Sequence, residues 1–197
     1  MPTTSSKKDD SHDDKSASSY LDFNSKKSLT YSDKSKIPGA GDGLFAKKLI
    51  PVGTSVAVYM GKKITDEEVY EICKRDRDEY QKLNSVIRGT PNGYAIVGEK
   101  NTNSNLAGVL VNDIGCISCS KDDLCRDILV KYVETAKKCN LKTVDTSDYP
   151  VYVTTKRIKK GDELYAHYGI GYWLLHIGFS PEELTVLNQI YQFEKFY

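Results

Sequence analysis

The sequence predicts an α+β domain built mainly of short strands, with few helices. Three observations carry that expectation. Apolar, β-branched runs of about four residues recur along the chain, Gly and Pro punctuate them at short intervals, and helical spacing of apolar side chains is confined to a few segments. With 197 residues there is material for one domain with its own core.

The chain opens with a Ser-, Lys- and Asp-rich stretch, residues 1–35, whose few apolar residues (Leu21, Phe23, Leu29, Tyr31) are too sparse to offset the cost of ordering; it is expected to be a disordered tail. The domain proper begins near Ile37, where Gly39, Gly41 and Gly43 alternate before the chain turns apolar. Val56-Ala57-Val58-Tyr59 reads as a strand after the turn residues Pro51 and Gly53. Thr65-Asp66-Glu67-Glu68 is a capping box opening a helix with Val69 and Ile72 on one face. Beyond the break at residues 89–93, Tyr94–Val97 and Gly108–Val111 suit buried strands, as does Pro150–Thr154. Ser180-Pro181-Glu182-Glu183 caps a C-terminal helix, residues 177–197, with Val186, Ile190, Phe193 and Tyr197 at helical spacing.

Composition narrows the function classes. Lys+Arg 28 against Asp+Glu 27 gives a net charge of +1, so no global basic field points to a nucleic-acid site. No run approaches the roughly 20 apolar residues of a membrane span, and no apolar signal segment opens the chain, so a soluble intracellular protein is expected. Cys116-x2-Cys119-x5-Cys125, with Cys139 beyond, lacks the second C-x-x-C of a zinc site and reads as free thiols in a loop insert; no metal is expected. His12, His167 and His176 have neither metalloprotease spacing nor a nucleophile motif beside them.

The alternating glycines fail the tests for a dinucleotide loop: no buried strand precedes them, no helix follows, and the third glycine comes one position early. They still let backbone approach a ligand and offer N–H groups to an anion. They also head an ordered series: Ile37-Pro38-Gly39-Ala40-Gly41-Asp42-Gly43-Leu44-Phe45-Ala46, Ile50-Pro51-x-Gly53-Thr54, Tyr59-x-Gly61 with Ile64-Thr65, Val111-Asn112, and Ile158-Lys159-Lys160-Gly161-Asp162-Glu163-Leu164 running into Tyr168-Gly169. In order and spacing this series resembles the SET-domain protein-lysine methyltransferases, over about Lys36 to Trp173. The form is similar to the compact members of large DNA viruses and protists, which carry no cysteine clusters before or after the domain.

The resemblance implies a domain spanning residues 36–176, with small curved sheets and a pseudoknot that threads Asn112 and Tyr168 together, and a C-terminal helix on or near a lysine channel. It implies S-adenosyl-L-methionine as cofactor, held by Gly39, Gly41, Asp42, Gly43, Leu44, Asn112, Asp113, Asn140 and Tyr168. Tyr168 and Tyr59 match catalytic positions, and Tyr59, Tyr94, Ala166 and Trp173 would line the substrate channel. The expected partner is a lysine-bearing protein, a histone tail above all, with the nucleus or chromatin as the place of action; the oligomeric state is left open, a homodimer included. Two positions depart from the family pattern: Asp113 stands where His is usual, and Val109 where Arg is common. A module that keeps the fold, has lost catalysis and binds chromatin or a protein is the alternative.

Those residue types suit the chemistry. Methyl transfer needs a neutral amine, yet lysine has a pKa of about 10.4, so deprotonation near neutral pH costs about 4 kcal/mol. A narrow, dry channel and a nearby positive sulfur both disfavour the ammonium. Aromatic walls shape the channel, and phenol oxygens accept weak C–H hydrogen bonds from a polarised methyl group.

Overall fold

The computed structural model describes residues 15–22, 27–75, 87–90, 93–101, 103–117 and 119–191. Among them, eight strands form three small antiparallel sheets. β1 (Thr30–Lys34) pairs with β2 (Asp42–Ala46); β3 (Ser55–Val58) and β7 (Leu141–Val144) flank β8 (Val151–Thr154); β4 (Gly61–Thr65) and β5 (Ile87–Gly89) flank β6 (Tyr94–Gly98). The helices are α1 (Asp66–Arg75), α2 (Arg126–Ala136), α3 (Ile170–His176) and α4 (Pro181–Tyr191). This is the mainly β, mixed architecture expected.

The principal core lies between the sheets, where Leu44, Ile50, Val56, Tyr59, Ile96, Val111, Tyr152 and Leu164 pack together. A second cluster joins the helices, with Ile117, Tyr132, Ile170 and Leu174 at its centre and Leu184 and Leu187 of α4 against it. The capping box forms as predicted: Thr65 N–H donates to Glu68 Oε2 at 2.7 Å, and Glu68 N–H donates back to Thr65 Oγ1 at 3.1 Å.

The crossing expected of the pseudoknot is visible in backbone contacts. Asn112 bridges Tyr165 in parallel, and Ala166 N–H donates to the Asn112 carbonyl at 3.1 Å. From the other side, Asn140 and Leu141 N–H both reach the Tyr165 carbonyl at 3.0 Å. The segment Glu163–Tyr168 is thus clasped between two chain stretches distant in sequence.

Four expectations are corrected. Within residues 1–35, taken as a tail, Thr30–Lys34 is a strand, and Ala17 is buried against Val58, Val151 and Val153 with its N–H on Asp148 Oδ1 at 2.6 Å. Composition weighs side chains, whereas β1 is held by backbone pairing to β2; residues 1–14 lie outside the described residues. Gly108–Leu110 is a 3₁₀ turn, not a strand: Leu110 and Val111 N–H bond to carbonyls three residues back rather than to a neighbour strand. The insert read as a loop contains α2, whose Ile128, Leu129, Tyr132, Val133 and Ala136 fall on one helical face. In α4, Val186 is exposed and Leu184 and Leu187 make the packing; Phe193 and Tyr197 lie outside the described residues.

Thr154 shows how side chains tie a turn to a sheet. Its buried Oγ1 donates to the Pro51 carbonyl at 2.6 Å and accepts from Thr54 N–H at 2.9 Å. Thr154→Val keeps shape and strips both partners, so it should lower unfolding free energy by about 2 kcal/mol, read as a lower urea midpoint with unchanged slope.

Candidate active site

A cavity of about 1070 Å³ opens between the β1–β2 turn, the stretch from Val109 to Asp113, and α3. Its rim carries Gly39, Gly41 and Asp42; its floor carries Gly98, Val109, Leu110 and Asn112; its far wall carries Tyr168, Tyr172, Trp173 and His176. Gly39 and Gly41 have φ of 80° and 76°, and a Cβ on either would meet nothing within 4 Å, so the bend is open on the outside and turns by virtue of the missing side chains. Asp42 stands at the mouth between Lys34 Nζ at 2.7 Å and Lys100 Nζ at 3.2 Å. These exposed pairs lower its pKa, first through the hydrogen bond from Lys34.

The far wall is assembled by Asp113. This carboxylate is 4% exposed and accepts four hydrogen bonds: Gly115 N–H on Oδ1 at 2.9 Å, and on Oδ2 the Tyr168 N–H at 2.8 Å, the Tyr132 hydroxyl at 2.9 Å and the Trp173 indole N–H at 2.9 Å. Tyr168 and Trp173 are thereby held with rings stacked at 6.2 Å and 11°, and Tyr172 meets Tyr168 edge-on at 4.8 Å. His176 stacks on Tyr172 at 6.2 Å, extending the aromatic wall along α3.

Tyr168 is fixed at both ends. Beyond its N–H on Asp113, its hydroxyl donates to the Val111 carbonyl at 2.8 Å, beside Asn112. Burial pushes that phenol well above its ordinary pKa, so it is neutral and its oxygen keeps acceptor capacity. Tyr59 is buried and in the same core cluster as Ala166 and Tyr152. Its phenol is also raised by burial, and neither it nor Ala166 lines the cavity; its hydroxyl lies behind the lining residue Gly98, where an added Cβ would be 2.6 Å from it and 2.8 Å from Val109 Cγ2.

A second carboxylate secures the glycine bend. Glu163, buried, accepts from Ser35 Oγ at 2.6 Å and Asn112 Nδ2 at 3.4 Å on Oε1, and from Lys36 N–H and the Tyr165 hydroxyl on Oε2, both at 2.7 Å. Asn112 Nδ2 also donates to the Asp42 carbonyl at 3.0 Å.

Of the residues named from sequence, Gly39, Gly41, Asp42, Asn112, Asp113, Tyr168 and Trp173 line the cavity. Three expected at the cofactor do not. Leu44 is core. Gly43 lies against the Glu163 carboxylate. Asn140 spends its amide on the crossing, Nδ2 to the Glu163 carbonyl at 2.9 Å and Oδ1 from Tyr165 N–H at 2.8 Å. Tyr94, expected in the channel, directs its hydroxyl to the Asp148 carbonyl at 2.8 Å and carries Lys63 Nζ over its ring at 4.6 Å. Tyr172, His176, Gly98, Lys100, Tyr132 and Glu163 were given no role at the site from sequence; the short helical spacing of Tyr172, Trp173 and His176 was the available signal. Cys116 and Cys119 lie at the cavity edge, while Cys139 is buried and its thiol pushed up to about 12, chiefly by burial. Among the described residues no three His, Cys, Asp or Glu side chains converge.

The cavity is large enough for a cofactor of nucleoside size. Its open glycine bend, beside the Lys34–Asp42–Lys100 group in which two cations face one anion, suits a carboxylate, and its aromatic wall suits a heterocyclic base.

Asp113→Asn replaces an acceptor with a donor facing other donors and should cost about 2–3 kcal/mol of stability. Burial holds the Asp113 pKa above 3.8 despite its donors. The native state therefore takes up that proton at higher pH than the unfolded chain, so this group's contribution to stability is smallest at neutral pH and grows as pH falls through the raised value towards 3.8. Urea midpoints of both proteins across that range should show the gain only in the wild type. Gly98→Ala should displace the Tyr59 tip and impair any reaction at the cavity floor at least tenfold while shifting the thermal midpoint by only a few degrees.

The SET-domain family model matches residues 41–169. Among solved structures, apo ctPRC2 in an autoinhibited state superposes with a TM-score of 0.50 at 18% identity, over 82% of this chain and 17% of that one. ctPRC2 in an autoinhibited conformation bound to S-adenosylmethionine gives 0.49 at 20% identity, over 82% and 17%. The polycomb repressive complex 2 of Chaetomium thermophilum gives 0.47 at 21% identity, over 72% and 15%. The chain spans less than a fifth of each of these three, and at 18% identity the likeness to apo ctPRC2 is one of fold. Among curated protein sequences nothing matches. With the model match covering most of the chain, from the glycine bend to the residue after Tyr168, this protein belongs to the SET-domain family of methyltransferases.

Proposed function

We propose that the protein is an S-adenosyl-L-methionine-dependent protein-lysine N-methyltransferase that acts on histone tails. The observation that carries this reading is the convergence on one cavity of the glycine bend, Asn112 and Tyr168, whose hydroxyl is locked to the carbonyl next to Asn112. Membership of the SET-domain family supports the same reaction class.

Gly39, Gly41 and Lys100 would hold the amino-acid end of the cofactor, Asn112 the middle, and Tyr172, Trp173 and His176 the base. When bound, S-adenosylmethionine supplies a methyl group on a positively charged sulfur, whose S–C bond breaks as a lysine nitrogen forms its N–C bond. This chain's part is to shape and dry the path of the amine. Tyr59, Tyr152 and Ala166 are buried in one core cluster that holds no charged side chain, and an amine entering beside them would be favoured in its neutral form by desolvation. Tyr168, neutral and held at backbone and hydroxyl, offers oxygen lone pairs beside the reacting carbon without moving. Small Ala166 leaves room beside the amine for added methyl groups.

On this reading residues 36–176 are the catalytic domain, and α4 buttresses α3 through Leu184 and Leu187. The partner is a lysine-bearing tail and the setting chromatin; among the described residues no helix is long and apolar enough to cross a membrane.

Tritiated methyl transfer from S-adenosylmethionine to core histones tests the proposal. Wild-type protein should label histones, and Tyr168→Phe should lower the rate by about 100-fold with cofactor binding retained. Cofactor binding without labelling of any core histone would favour the alternative, a non-catalytic SET-like module that binds chromatin.

A further inference from the structure

Arg88, on β5, is unexplained by the site as described. Its Cα lies opposite Ile96 in the β5–β6 ladder, and Ile96 is fully buried in the same core cluster as Tyr59, Tyr152 and Ala166. The guanidinium stands 5.9 Å from the centroid of the Tyr152 ring, and Tyr152 is itself fully buried. Arg88 Nε is shielded from solvent and has no hydrogen-bond partner. Arg88 is half-buried and its side chain also hydrogen-bonds the Tyr152 phenol, yet one of its donors stays unpaired where water does not reach, which is costly. Packing alone would be served by leucine or methionine. A cation kept there affects whatever else enters the same aromatic cluster.

We propose that the Arg88 guanidinium is an electrostatic element of the methyl-acceptor site: through like-charge repulsion it keeps the entering lysine side chain in its uncharged, nucleophilic form. The inference rests on the methyltransferase reading and deepens it. The amine must shed its proton to solvent before its nitrogen can form a bond to carbon, and desolvation by tyrosine walls supplies part of that push. A fixed positive charge in the same low-dielectric surroundings supplies more, as in other enzymes whose reactive lysine sits beside a second cation. A tyrosine ring face stabilises the guanidinium without neutralising it.

The surrounding groups are consistent with a cation whose field reaches the cluster. The positive charge of Arg88 partly offsets the upward push of burial on the Tyr59 and Tyr152 phenols, and it adds to burial in lowering the pKa of His167. Tyr168 and Tyr172 face the same space as neutral phenols, raised mainly by burial. Asp113 is the anion that bears on the cluster, with its charge shared among four donors.

Two measurements test this, each on wild type, Arg88→Gln and Arg88→Lys. The first needs no activity: the His167 imidazole is titrated by NMR, its signal assigned with His167→Gln. Its pKa should rise in Arg88→Gln and stay near the wild-type value in Arg88→Lys; a His167 titration indifferent to Arg88→Gln overturns the proposal. The second is the pH dependence of kcat with core histones at saturating S-adenosylmethionine, which reports the amine in the bound complex. The acid limb should move up by about one pH unit in Arg88→Gln, a loss of about tenfold in rate near neutral pH that is regained in alkali, while Arg88→Lys keeps the wild-type limb. A uniform rate loss with an unmoved limb would make Arg88 a structural residue and overturn its electrostatic role alone. A limb that also moves in His167→Gln would assign the effect to the imidazole. Absence of transfer by the wild type would overturn the methyltransferase reading itself, and this role with it.

Discussion

The site depends on one buried carboxylate. Asp113 draws together a backbone N–H from the crossing segment, an indole from α3, a phenol from α2 and an N–H two residues ahead of it. A carboxylate without water needs donors, and the donors available come from segments that share no sequence neighbourhood. Satisfying Asp113 therefore docks α2 and α3 onto the crossing. The balance is close: burial disfavours the charge more strongly than the four donors favour it, so the group's pKa stays raised. The return on that cost is position, because Tyr168 is held by its main chain here and by its hydroxyl at Val111.

Glu163 does for the glycine bend what Asp113 does for the aromatic wall. Its two oxygens collect Ser35, Lys36, Asn112 and Tyr165, so the β1–β2 turn, the Asn112 stretch and the crossing share one anchor. Glu163 holds Asn112 and Asp113 holds Tyr168, and both held residues line the cavity. Neither carboxylate needs to touch a reacting atom: each converts a flexible loop into a fixed wall, and preorganised walls are what alignment of a nucleophile with its target requires. The aromatic surface beside Asp113 comes from Tyr172, Trp173 and His176 on α3.

The elements legible in sequence were those whose signal is local. The capping box at Thr65, the strand before Tyr59 and the proline-led start of the last helix each follow from a few adjacent residues, and each formed where expected. The elements missed depend on partners elsewhere in the chain. Thr30–Lys34 is polar and becomes a strand because β2 offers its edge; Gly108–Leu110 is apolar like a strand and turns because its hydrogen bonds close locally. An apolar run records burial and leaves backbone conformation open.

The same division holds at the site. The order and spacing of the glycine bend, Asn112 and the Glu163–Gly169 segment carried the resemblance to the SET-domain family, which the family model bears out. Which of them face the cavity was decided by tertiary structure: Asn140 and Gly43 were turned to holding the crossing, and Tyr94 to fastening Asp148, because each found a nearer polar or close-packed partner. Side-chain identity determines what a residue can donate, accept or exclude. Only the folded chain decides which neighbour claims it, because hydrogen-bond partners here lie as far apart in the sequence as Lys15 and Ser147.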